Sequence, residues 1–191
     1  MQEKSLHGIE KPGRYIGGEF NSYGKNFAEA GVRFALAFPD VYEVGLSHLG
    51  LQLLYHVLNR MDSVMADRVY TPWQDYERSL RDLGEPLCGV ESGQPLHAFD
   101  FVGFSLQYEL SYSNILTILD LGGIPLESAD RTLEHPWVIG GGPCVYNPEP
   151  VAQFFDFFVL GEAEEVLGEL VEAFERWKTS RGTRQEFLQE I

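Results

Sequence analysis

Runs of near-continuous apolar residues alternate along this chain with stretches whose apolar positions recur every three or four residues. "VRFALAF" (Val32–Phe38) has almost no polar position, the pattern of a strand buried on both faces of a parallel sheet. "SHLGLQLLYHVLNRM" follows, with Leu46, Leu49, Leu53, Leu54, Val57, Leu58 and Met61 at helical spacing and Ser47 as the expected N-cap. The alternation then repeats. "VMADRVYTP" reads as a strand, "DYERSLRDLG" as a short helix ended by Gly84, and "LCGVES" as a further short strand. "FDFVGFSLQYE" is a strand that leads into the helix "SYSNILTILDLGGI", stopped at Gly122-Gly123. "WVIGGGP" and "FDFFVLGEAE" are strands running into glycines, and "EEVLGELVEAFERWK" is a last long helix.

Strands alternating with helices predict a parallel sheet with helices on both faces, because parallel strands need long crossovers and those are right-handed. The expected fold class is α/β, a doubly wound parallel sheet of flavodoxin-like or Rossmann-like type. Residues 1–30, rich in Gly, Tyr and Lys and without a lasting period, read as an N-terminal arm, and 31–178 as the α/β domain. Ligands of such sheets lie beyond the carboxyl ends of the strands. The polar and glycine-rich loops here all follow strands: Asp40–Gly45, Ser105–Tyr108, Gly140–Pro143 and Gly161–Glu164. Glu43, Glu109, Glu162 and Glu164 fall at the same edge, where they read as solvated loop acids, with a catalytic role as the alternative.

Composition narrows the function classes. The formal net charge of -15 and the scatter of the 14 Lys and Arg argue against direct nucleic-acid binding. No apolar run approaches the roughly 20 residues that span a bilayer, and the N-terminus lacks a signal-peptide core, so a cytoplasmic location without membrane contact is expected. Cys88 and Cys144 are too far apart in sequence for CxxC metal spacing, and the five histidines form no HxH or HExxH pair. Gly45-Leu-Ser-His-Leu-Gly50 has the frame of a phosphate-binding loop but lacks its lysine and hydroxyl. The same segment approaches the nucleophile elbow GxSxG, with Leu49 in place of the last glycine; Ser47 is expected to cap a helix rather than attack a substrate. No GxGxxG follows the first strand, so the dinucleotide fingerprint is missing.

Taken together, Asp40-Val-Tyr-Glu-Val-Gly45, Ser105-Leu-Gln107 and Gly141-Gly142-Pro143 resemble, in order and position, the motifs of a cobalamin-binding domain. "DFFVLGEAEEVL" resembles the segment that follows such a domain in radical S-adenosylmethionine (SAM) proteins. "RFALAFPDVYEVGLSHLGLQLLYHVLN", "FVGFSLQYELSYSNIL" and "VIGGGPCVYNPEP" are similar to the N-terminal region of an uncharacterised family of those proteins, over about residues 11 to 175. The resemblance implies a cobalamin site lined by Asp40, Tyr42, Gly45, Ser105, Gly141 and Gly142. The paired glycines would let the nucleotide tail approach the backbone.

Two departures qualify that implication. Tyr42 stands where methyl-transfer cobalamin domains carry the histidine that ligates cobalt, and a neutral phenol is a poor substitute. Gln107 stands where the second motif has leucine. The chain also lacks the three-cysteine CxxxCxxC motif of a 4Fe-4S cluster. The cluster, S-adenosylmethionine and the catalysis are therefore expected in a C-terminal radical SAM domain outside this chain, with 179–191 as the start of a linker to it. The alternative is a flavodoxin-like docking module that has lost its cofactor, its pocket filled by aromatics such as Tyr70, Trp73, Tyr108, Tyr112 and Tyr146. Those rings would also suit a flavin. A resemblance to the N-terminal domain of methylthiotransferases keeps a role near RNA open.

Overall fold

The computed structural model describes residues 5–191; residues 1–4 of the expected arm lie outside the described residues. Strands β1 (Val32–Phe38), β2 (Val64–Tyr70), β3 (Phe101–Ser105), β4 (Trp137–Gly141) and β5 (Phe157–Phe158) form one parallel sheet in the order β2-β1-β3-β4-β5. This is the flavodoxin-like order, and the chain reverses its winding direction between β1 and β3.

Helices α1 (Tyr42–Leu46) and α2 (Leu49–Asn59) follow β1, α3 (Gln74–Leu83) follows β2, and α4 (Tyr112–Leu121) follows β3. After β5 come α5 (Ala163–Ser180) and α6 (Arg184–Glu190). The two-residue period of a strand divides β1 between two cores. Phe34 and Leu36 face Leu51 and Leu58 of α2 and Leu167 and Leu170 of α5. Ala35 and Ala37 face the opposite layer, with Tyr76 and Leu80 of α3 and Ile115 and Ile118 of α4. The sheet is thus covered on both sides, as the alternating pattern predicts.

Three elements differ in detail from the expectation. "LCGVES" forms only a single antiparallel bridge, Cys88 with Pro95. The buried Asp67 carboxylate accepts the backbone N–H groups of Glu91 and Ser92, while those of Leu87, Gly89 and Val90 donate to the carbonyls of Leu121, Gln94 and Arg68, so the segment's donors are met without a regular ladder. Secondly, β5 pairs over two residues only. Thirdly, α1 intervenes before α2. Ser47 does not cap α2; its Oγ donates back to the Val44 carbonyl, and His48 is the N-cap, its Nδ1 accepting the Leu51 N–H at 3.1 Å.

Within 179–191, α6 carries a capping box between Thr183 and Glu186. Its Phe187 is fully buried against Trp137 at 4.7 Å between ring centroids and against Phe174 at 5.8 Å. Among the described residues no helix is long and apolar enough to cross a membrane.

Candidate functional site

A cavity of about 250 Å³ opens at the carboxyl edge of the sheet, at the reversal of strand order, between α2 and α5. Its floor is Phe34 and Leu36 of β1, Gly103 to Ser105 of β3 and Ile139 to Gly141 of β4. His48, Gly50 and Leu54 form the α2 wall, and Gly161 to Glu164 with Leu167 the α5 wall. Its volume falls below the roughly 300–1,000 Å³ of sites that enclose a whole drug-sized ligand, so it suits one ring-sized part of a larger molecule. Among the described residues Glu162 and Glu164 are its only charged lining residues, and neither lysine nor arginine lines it.

Three of the six residues expected at a cobalamin site line this cavity: Ser105, Gly141 and Gly142. Ser105 is 9% exposed, and its hydroxyl makes no hydrogen bond within the described residues. The hydroxyl meets the open cavity, so an occupant with a polar atom would replace the water it faces there. A Cβ built on Gly141 meets nothing within 4 Å, so that position faces open space. Gly142 differs. Its φ of 102° lies in the region glycine favours, and a Cβ there would meet the Leu106 carbonyl oxygen at 2.9 Å. The bond from Leu106 N–H to Gly141 O, 2.7 Å, holds this turn against the loop after β3.

Asp40, Tyr42 and Gly45 lie outside the cavity lining. Asp40 braces two loops: Oδ1 accepts the Val41 N–H at 2.7 Å, and Oδ2 accepts the Tyr108 hydroxyl. That bond, and then burial, push the Tyr108 phenol up to about 12. Tyr42 donates to Glu19 Oε1 of the arm at 2.9 Å and packs edge-on to Tyr70. Burial first, and then the Glu19 carboxylate, push its phenol up to about 12, so Tyr42 stays neutral at physiological pH. Glu19 also pairs with the buried Arg68 at 3.2 Å, and Arg68 with Glu91 at 2.7 Å, which pins the arm to β2.

Gly45 has a packing explanation. A Cβ there would lie 2.5 Å from the Tyr70 ring and 3.1 Å from Phe38 Cβ. Gly45→Ala is expected to cost about 1–3 kcal/mol through overpacking, read as a lower urea midpoint with unchanged slope. A shift below about 0.5 kcal/mol would show that Tyr70 moves aside freely.

Sequence reasoning missed His48, Gly50 and Leu54 as wall residues. The signal was present in the spacing: His48 stands three residues before Leu51, the offset at which a capping side chain meets a helix N–H. The edge acids Glu162, which is exposed, and Glu164, which is half-buried, also border the cavity.

Comparison with known proteins gives the family. The model of the N-terminal region of radical SAM proteins matches residues 50–191, which include the α5 wall of the cavity, Gly50 and Leu54 of the α2 wall, and the β3 and β4 loops. The chain belongs to this family. Residues Ser105, Gly141 and Gly142 of this radical SAM N-terminal domain fall within the match, whereas Asp40, Tyr42 and Gly45 precede it. A relative of Methanocaldococcus jannaschii, described as an uncharacterized protein, is 27% identical over 131 residues. That alignment covers 68% of this chain and 24% of the relative, so the chain spans about a quarter of that protein's length. No solved structure matches.

Proposed function

We propose that this domain binds cobalamin by its nucleotide tail at the carboxyl edge of the sheet, in service of radical chemistry performed by the C-terminal domain of the parent protein. The 4Fe-4S cluster and S-adenosylmethionine belong to that partner domain. The supporting observation is the open space at Gly141 beside the unpartnered hydroxyl of Ser105, a cradle that a side chain would fill.

The residues present fit the group. The apolar floor of Phe34, Leu36 and Ile139 suits a flat ring, Ser105 and Gln107 supply polar contacts, and the lack of a cation among the described lining residues makes the lining unsuited to the free phosphate of a flavin mononucleotide. Bound cobalamin would supply methyl transfer or radical rearrangement chemistry. The chain's own part is to bind and orient. Gly141 and Gly142 admit the tail, Ser105 donates to it, and Asp40 with Tyr108 holds the β1 and β3 loops in register around it. Tyr42, neutral and engaged by Glu19, does not ligate cobalt in this scheme.

Titration of the purified chain with hydroxocobalamin, followed by visible spectrum and by heat, is expected to saturate at one equivalent. No saturable signal at millimolar cobalamin would refute the proposal. A second reading, a docking module without cofactor, draws on exposed Leu49 (77%), Leu110 (91%) and Tyr146 (77%), which follow β1, β3 and β4 at the same edge.

A further inference from the structure

We infer that His48 is a hydrogen-bond donor to the group held in the cavity and not a cobalt ligand; this rests on the cobalamin proposal above. Nδ1 of His48 accepts the Leu51 N–H at 3.1 Å and caps α2. A neutral imidazole that accepts at Nδ1 carries its proton on Nε2. Nε2–H is therefore a donor, and it has no partner among the described residues. The ring is set in the cavity wall by Phe38, 5.0 Å away between centroids, and by Gly50, where a Cβ would come within 3.0 Å of the imidazole.

Coordination of a metal through Nε2 would require the proton to move to Nδ1, which would break the cap. The cap thus fixes the chemistry that His48 offers. A second, independent donor lines the same cavity: the hydroxyl of Ser105, nine-tenths buried and unpartnered. The N-terminus of the eleven-residue α2 adds a partial positive charge at this wall. Glu162 and Glu164 border the cavity opposite, so the acceptor favoured here is uncharged, such as a ring nitrogen or ribose oxygen of the nucleotide tail.

The test uses His48→Asn in the full chain, because asparagine is itself a strong N-cap and preserves α2. The variant is expected to melt as the wild type does and to bind hydroxocobalamin about tenfold more weakly, the loss of one hydrogen bond. Its affinity for cobinamide, which lacks the nucleotide, is expected to equal that of the wild type. The paramagnetic resonance spectrum of bound cob(II)alamin is expected to be unchanged by ¹⁵N-histidine labelling. Wild-type affinity for hydroxocobalamin in the variant, or a labelled-histidine splitting that the variant abolishes, would overturn the inference alone. Failure of the wild type to bind any corrinoid would overturn the cobalamin proposal and this inference with it.

Discussion

Gly141→Val is expected to abolish cobalamin binding while leaving the fold intact. The position ends β4, its backbone lies outside the left-handed region, and a Cβ there meets no atom within 4 Å. Valine suits a strand end, so the side chain enters the cavity without strain on the sheet. It takes the space that the tail would occupy. Affinity is expected to fall by at least about 100-fold, or ~2.7 kcal/mol, in the hydroxocobalamin titration. The far-ultraviolet spectrum and melting midpoint should match the wild type. Gly142→Ala is a poorer probe, because φ of 102° and the Leu106 carbonyl at 2.9 Å strain the backbone itself. A folded Gly141→Val protein with wild-type affinity would place the tail elsewhere.

Asp156→Ala carries the largest expected stability effect, about 3–5 kcal/mol, the loss typical when one partner of a buried ion pair is removed. The Asp156 side chain is 5% exposed and joins three elements. Oδ2 accepts the Val138 N–H at 2.7 Å and lies 3.1 Å from Arg131, and Oδ1 lies 2.7 Å from Arg184. The Arg131 side chain is fully buried, and its guanidinium also donates to the carbonyls of Pro125, Leu126 and Phe154. Burial already lowers its pKa, although Asp156 opposes that shift. Without Asp156 the charge stays buried and unbalanced. The denaturant midpoint should drop accordingly, and cobalamin affinity with it, because β5 leads directly into Gly161–Glu164 of the cavity wall. The exposed pair Arg176–Glu190 provides the contrast, with an expected cost of about 0–1 kcal/mol for Arg176→Ala. An Asp156→Ala loss below about 1 kcal/mol would mean that Arg131 is held by its carbonyl partners alone.

What the sequence made legible follows from which signals are local. Val32–Phe38 and Gly84 were readable because a doubly buried strand must be apolar throughout and because a left-handed helix end, φ 63° at Gly84, favours glycine. The carboxyl-edge loops were readable as a group, since the order of strands and helices dictates where they meet. The interior of that edge was less so. Asp40, Tyr42 and Gly45 sit in one motif, yet the first turns toward Tyr108, the second toward Glu19 and the third packs on Tyr70. Each partner is distant in sequence, 68 residues for Tyr108 and 23 for Glu19, so no local pattern announces it. The shift of the helix cap from Ser47 to His48 has a similar origin. Both residues have capping groups, and the choice is made by the extra turn of α1, which engages Ser47 first.

The most direct measurement is hydrogen exchange of the full chain with and without saturating hydroxocobalamin. The proposal predicts added protection confined to the carboxyl edge, in residues 103–107, 140–142 and 161–164 and at the start of α2. Protection at the opposite edge, around residues 97–100 and 133–137, or no change at a concentration that saturates the visible spectrum, would contradict a tail held in the cavity between α2 and α5.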